Sequence, residues 1–237
     1  RDYRKDDNEF SQDVPYNFQK IHQKLKLAAE DVDHLNPFCT LSAIYDFTKF
    51  FYSISSALSM GFSDITTKVN QMRERFADYP EAQDIQNLLT IEMQLGDNIY
   101  KCNQDNNSSL GHGKDKYKNY ISACRTFLRL LWFLEYLIAV FNKAKADDGT
   151  GSMKTYLGNG YNEVLAPRHP FLVRNAVRLA LSLPGGGTTA EAVKLIFGFD
   201  TLDDNTRKSI QEIIDLMTKI WKAGHDFYEK NNLLSLK

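Results

Sequence analysis

The sequence predicts an all-α protein, and three observations carry that reading. Most segments repeat their apolar residues every three or four positions, the spacing of one helix face. No run alternates apolar and polar residues as a half-buried strand would, and no Asn-Gly turn joins two such runs. The breaks between periodic segments are helix punctuation: Asn36-Pro37, Gly61, Tyr79-Pro80 and the glycine-rich "LPGGGTT".

In chain order, residues 1 to about 14 are polar and charged and read as a loose arm, with one domain expected from residue 16 to 237. Residues 16–30 form a short amphipathic helix with Phe18, Ile21, Leu25 and Leu27 as its apolar side. Pro37 suits the first turn of the next helix, which runs to about Met60 and is broken by Gly61. A helix restarts with Ser63 as N-cap and stops at Tyr79-Pro80. Another spans 81–101. A polar loop, "NQDNNSSLGHGKDK", precedes a long apolar helix over 117–146. The turn "DDGTGS" leads into 153–183, helical with interruptions at Pro167 and Pro170. Helices near 188–197 and 203–231 complete the chain.

Composition narrows the function. The 237 residues carry 29 basic and 30 acidic side chains, a net charge of −1, so the basic excess of a general nucleic-acid binder is missing. The three cysteines, Cys39, Cys102 and Cys124, are widely spaced and build no disulfide framework or CxxC metal motif, which fits a cytoplasmic setting. The run from Phe127 to Phe141 is the most apolar stretch. It falls short of the ~20 residues of a membrane span and holds Arg129 and Glu135. No HExxH, GxSxG, Walker loop or dinucleotide fingerprint occurs, so neither a metal, a cofactor nor an enzymatic activity is expected.

Arg125 and Arg129 share one face of a helix that is apolar in nearly every other direction. Such guanidiniums need partners. Carboxylates of neighbouring helices or snorkelling to water would serve; so would a phosphate or carboxylate ligand, which paired guanidiniums hold bidentately. Asp64 and Lys68, at i and i+4, read as a helix-surface ion pair. His169 before Pro170 reads as a capping or core histidine. The 12 Tyr, 15 Phe and 2 Trp provide an aromatic core, the walls of a cavity, or an edge that touches membrane.

Four motifs, "SDITTK", "CRTFLRL", "RHPFLVRNAV" and "FYEKNNLLSL", together with the Asn36-Pro37 opening, occur in the order and spacing of the glycolipid transfer protein superfamily. The resemblance covers the chain from about residue 18 to its end. It implies a two-layer helical sandwich of about eight helices enclosing an apolar pocket, one sphingolipid carried there, and transfer between membranes without catalysis. Lys68, Arg125 and Arg129 resemble the cations of the ceramide-1-phosphate branch, where glycolipid carriers have Asn and Trp. By the same resemblance Asp64 accepts hydrogen bonds from the ceramide amide and a sphingoid hydroxyl, and His169 donates to the amide carbonyl. The ligand implied is ceramide-1-phosphate; another phosphosphingolipid, a glycosphingolipid, or a sphingolipid sensor acting through protein partners are the alternatives. A monomer touching membranes transiently, with no nucleic-acid partner, completes the expectation. Phe171 stands where a Trp is common in the family, and the loops at 103–116 and 184–189 are longer than in its pattern.

Overall fold

The computed structural model describes residues 7–11, 16–54, 56–101, 120–182 and 187–236, and the loop expected at 103–116 lies outside them. The described residues are helical: α1 (Phe18–Ala28), α2 (Pro37–Ile54), α3 (Ser56–Asp78), α4 (Ile85–Gln94), α5 (Asp97–Tyr100), α6 (Ala123–Ala146), α7 (Met153–Gly160), α8 (Phe171–Ser182), α9 (Thr189–Phe197) and α10 (Asp204–Lys230). Among them the only β-type pairing is an isolated bridge between Ser152 and Thr188.

Several boundaries differ from the sequence reading. Gly61 does not break a helix and Ser63 is not an N-cap: α3 starts at Ser56 and passes through both. An interior glycine costs only about 1 kcal/mol, less than losing two turns of packed helix. Ser63 uses its carbonyl to accept the hydroxyls of Thr66 and Thr67. The helix expected over 81–101 is cut by Gly96, whose φ of +102° needs a residue without Cβ. The long apolar helix starts at Ala123, after Ser122, whose side chain accepts from the Arg125 amide. On α1, Leu27 is exposed, while Ala28 and Lys24 take the interior positions.

Helix α6 is the centre of the packing and meets α3, α4, α7 and α10; α2 lies on α1 and α3. Fourteen of its side chains are buried, as expected of a helix apolar nearly all round. Its ends are held by charge. At the N-terminus, the fully buried Glu92 carboxylate of α4 accepts from the amides of Ala123 (2.7 Å) and Cys124 (2.8 Å) and from the Tyr120 hydroxyl (2.6 Å). Ser122 Oγ lies 2.8 Å from Glu92 and 2.6 Å from the Tyr100 carbonyl, so its one proton is shared. An anion here also complements the helix dipole. At the C-terminus, Arg207 of α10 donates to the carbonyls of Lys145 and Asp147. Tyr228 of α10 donates to the Cys124 carbonyl at 2.6 Å. The two helices approach so closely that a Cβ on Gly224 would stand 2.6 Å from Leu131 Cδ2.

A second charged group joins the N-terminal segment to α1 and α2. Asp46 lies 2.5 Å from Lys24 and 2.8 Å from Lys49, and Lys24 also reaches Glu9 at 2.8 Å. Phe10, in the 3-10 turn Asp7–Phe10, is buried edge-on against Phe38 and Tyr45.

Replacing Glu92 by Ala orphans several buried donors at once. Each costs about 1–3 kcal/mol, so the variant should lose at least about 3 kcal/mol in urea unfolding. A loss below about 1 kcal/mol would mean that α6 does not depend on this carboxylate.

Candidate functional site

The five residues singled out in the sequence come from three parts of the fold. Helix α3 supplies Asp64 and Lys68, one turn apart and joined at 2.5 Å; the carboxylate is exposed and the ammonium largely shielded. Helix α6 supplies Arg125 and Arg129 from its first two turns. Arg125 reaches the Lys101 carbonyl at 3.4 Å. Arg129 folds back to the Arg125 carbonyl at 2.6 Å and lies over the Trp132 ring, 5.2 Å from its centroid. Among the described residues, no carboxylate is in ion-pair contact with Arg129. Burial and the neighbouring Arg125 charge pull its pKa down to about 10, against the favourable charge of Asp64. It remains a cation at neutral pH, held at a cost that an incoming anion would relieve.

His169 comes from the segment between α7 and α8, where the helical path is deformed. A π-turn over Tyr161–Leu165 and a 3-10 turn over Ala166–Arg168 bring the chain to His169, which is extended (φ −99°, ψ 143°) as a residue before proline must be. Its Nδ1 lies 3.0 Å from the Tyr161 hydroxyl. Burial lowers its pKa, Asp64 raises it and Lys68 lowers it further. Asp64 thus acts on both Arg129 and His169, which brings α3, α6 and the His169 segment into one electrostatic neighbourhood. Behind it lies an aromatic layer: Phe62 stacks on Phe51 at 3.8 Å and meets Phe133 and Tyr136.

The surroundings contain groups that the sequence did not announce. Tyr161 precedes His169 by eight residues, outside any local helical spacing, and the π-turn that aims it has no composition signal. Glu135, which has no partner on its own helix face, pairs with Arg168 at 2.8 Å. The Arg168 guanidinium also lies over Trp132, 5.3 Å from the ring centroid, so two cations share one indole. Beside Trp132 a cavity of ≈ 250 Å³ opens, with Glu135, Arg168, Trp221 and His225 in its wall. On the solvent side of α10, ligand atoms of His225, Asp226 and Glu229 lie within 4.8 Å of one another, but Asp226 is already paired with Lys222.

Helix α8 has no buried residue. Phe171 is 64% exposed, Leu172 79% and Leu179 66%, with Arg174 and Arg178 on the same helix. No helix among the described residues is long and apolar enough to cross a membrane.

The lowered pKa of His169 has a signed consequence. The unfolded chain takes up its proton first as pH falls below about 6.5, so the stability tied to neutral His169 is complete above that pH. It is lost as pH falls through the lower folded value. Urea midpoints should drop between pH 7 and pH 5, and His169→Gln should flatten part of that slope; an unchanged slope would mean His169 titrates as in the unfolded chain.

The sequence profile of the family described as Glycolipid transfer protein matches residues 34–186. The ceramide-1-phosphate transfer protein of Danio rerio is 32% identical over 118 residues, which cover 48% of this chain and 53% of that relative. The chain matches only about half the length of that relative. The protein of the same name from Xenopus tropicalis is 25% identical over 193 residues, 79% of this chain and 80% of that one. Human ceramide-1-phosphate transfer protein in complex with 12:0 ceramide-1-phosphate superposes with a TM-score of 0.74 at 17% identity, covering 94% of this chain and 100% of that chain. The shared fold is the all-α sandwich that the sequence resemblance implied.

Proposed function

The chain belongs to the glycolipid transfer protein family, and on that premise we propose that it binds ceramide-1-phosphate and moves it between membranes without catalysing a reaction. The observation that carries the choice of head group is Arg129, a shielded cation on the apolar central helix with no carboxylate contact among the described residues. A phosphate monoester carries about −1.5 to −2 charges and accepts charge-assisted hydrogen bonds. Lys68, Arg125 and Arg129 supply matching donors, and a neutral sugar would leave the Arg129 charge without a counter-ion. Asp64 is the acceptor for the ceramide amide and a sphingoid hydroxyl. Tyr161 lies 3.0 Å from Nδ1; in the tautomer where its hydroxyl donates there, the imidazole proton is on Nε2, from which His169 donates to the amide carbonyl. The apolar chains enter behind these groups, toward the aromatic layer around Phe62 and Phe133.

Residues 16–237 work as one lipid-transfer domain and the protein acts as a monomer in the cytoplasm, touching membranes only transiently. Contact is through α8, whose Phe171, Leu172 and Leu179 are exposed beside Arg178. The arginines draw the helix to anionic surfaces within a Debye length of ~10 Å at 0.1 M salt.

Transfer of labelled ceramide-1-phosphate and galactosylceramide between vesicles tests the reading. The phosphate lipid should move and the sugar lipid should not. Arg129→Leu should cut ceramide-1-phosphate affinity about ten- to a hundredfold, the value of a charge-assisted hydrogen bond. Transfer of galactosylceramide alone would overturn the head-group choice. Binding without transfer would favour a sphingolipid sensor. Leu172→Glu should slow transfer several-fold and leave binding to short-chain ceramide-1-phosphate in solution unchanged; equal transfer rates would remove α8 from the docking surface.

A further inference from the structure

The cavity beside Trp132 is left unused by a ligand that ends in a bare phosphate. Its position is specific. Trp132 is at once a wall of this cavity and the ring over which Arg129 lies, so the cavity begins one indole away from the cationic cluster. Arg168, immediately before His169, forms another part of the wall. The floor is apolar, from Leu128 and Leu131.

The lining selects among head-group substituents. Glu135 offers carboxylate acceptors, Arg168 offers guanidinium donors, and each side chain is 31% exposed and within reach of a ligand. His225, tilted against Trp221 with centroids 4.9 Å apart, can donate or accept. Acceptors, donors and the Trp221 indole over an apolar floor suit a ring of hydroxyls, whose C–H face packs on an aromatic while its O–H groups both donate and accept. An ammonium fits poorly. Trp132 already carries two guanidiniums, and Glu135 is already neutralised by Arg168.

We propose that the Trp132–Glu135–Arg168–His225 cavity is a second head-group subsite that takes a polyhydroxylated ring esterified to the lipid phosphate. The inference rests on the phosphate reading of the cationic cluster and extends its ligand class from the monoester to polyol phosphodiesters. The Glu135–Arg168 pair opens enough to hydrogen-bond neighbouring ring hydroxyls, and the phosphate stays on Lys68, Arg125 and Arg129.

The test uses the full chain and three lipids in vesicle transfer: ceramide-1-phosphate, inositol phosphoceramide and ethanolamine phosphoceramide. Wild type should move the first two and discriminate against the third. Glu135→Gln and, independently, His225→Leu should lower transfer of inositol phosphoceramide about tenfold, as expected for the loss of ligand hydrogen bonds. Both should leave ceramide-1-phosphate within about twofold, a control that also reports folding. Transfer of ceramide-1-phosphate without the inositol lipid, a preference for the ethanolamine lipid, or equal slowing of both lipids by the variants would overturn the subsite and leave the phosphate reading standing. Absence of both binding and transfer for all three would overturn the phosphate reading, and this subsite with it.

Discussion

The structure depends on one buried carboxylate. Glu92 reaches from α4 to the first amides of α6 and satisfies donors that would otherwise be orphaned in an apolar interior. This decides where the central helix begins. It therefore decides that Arg125 and Arg129 sit in the first two turns, close to the surface and to α3, instead of at the helix middle. Arg207 performs the reciprocal task on the last carbonyls, and Tyr228 joins the same helix to α10. A helix so apolar would tolerate many registers on hydrophobic grounds alone. Directional bonds at its two ends leave one.

The polar cluster gains its character from that register. Arg129 is close enough to water to stay charged and buried enough to be held at a cost, the balance that makes a cation responsive to an anion. His169 reaches the same neighbourhood from the far side by a different device. The π-turn and the 3-10 turn before Pro170 rotate the chain so that Tyr161 and His169 face each other. The i→i+4 pattern gives way there to i→i+5 and i→i+3 bonds, and the changed pitch presents a side chain to the site.

Much of this was legible in the sequence. Helix identity followed from apolar period, because burying one stripe demands it. The helix pairs Asp64–Lys68 and Arg125–Arg129 followed from i, i+4 spacing, and the interruptions at Pro167 and Pro170 from the missing amide. Gly61 and Ser63 misled because both are weak local signals, and the helix running through them has tertiary neighbours in α2 and α6. At Gly96 the glycine did end the helix, turning the chain at positive φ.

By itself the sequence determined the helical class, the apolar central helix and a set of residues whose order resembles one family. Those properties reside in residue type and short-range spacing. Only the tertiary structure decided that Glu92 caps α6, that Glu135 answers Arg168, that Tyr161 meets His169, and that Trp132 carries two guanidiniums beside a cavity. The physical reason is range. Hydrogen bonds and ion pairs act over a few ångströms in space, between residues whose distance along the chain bears no relation to that separation until the helices have packed.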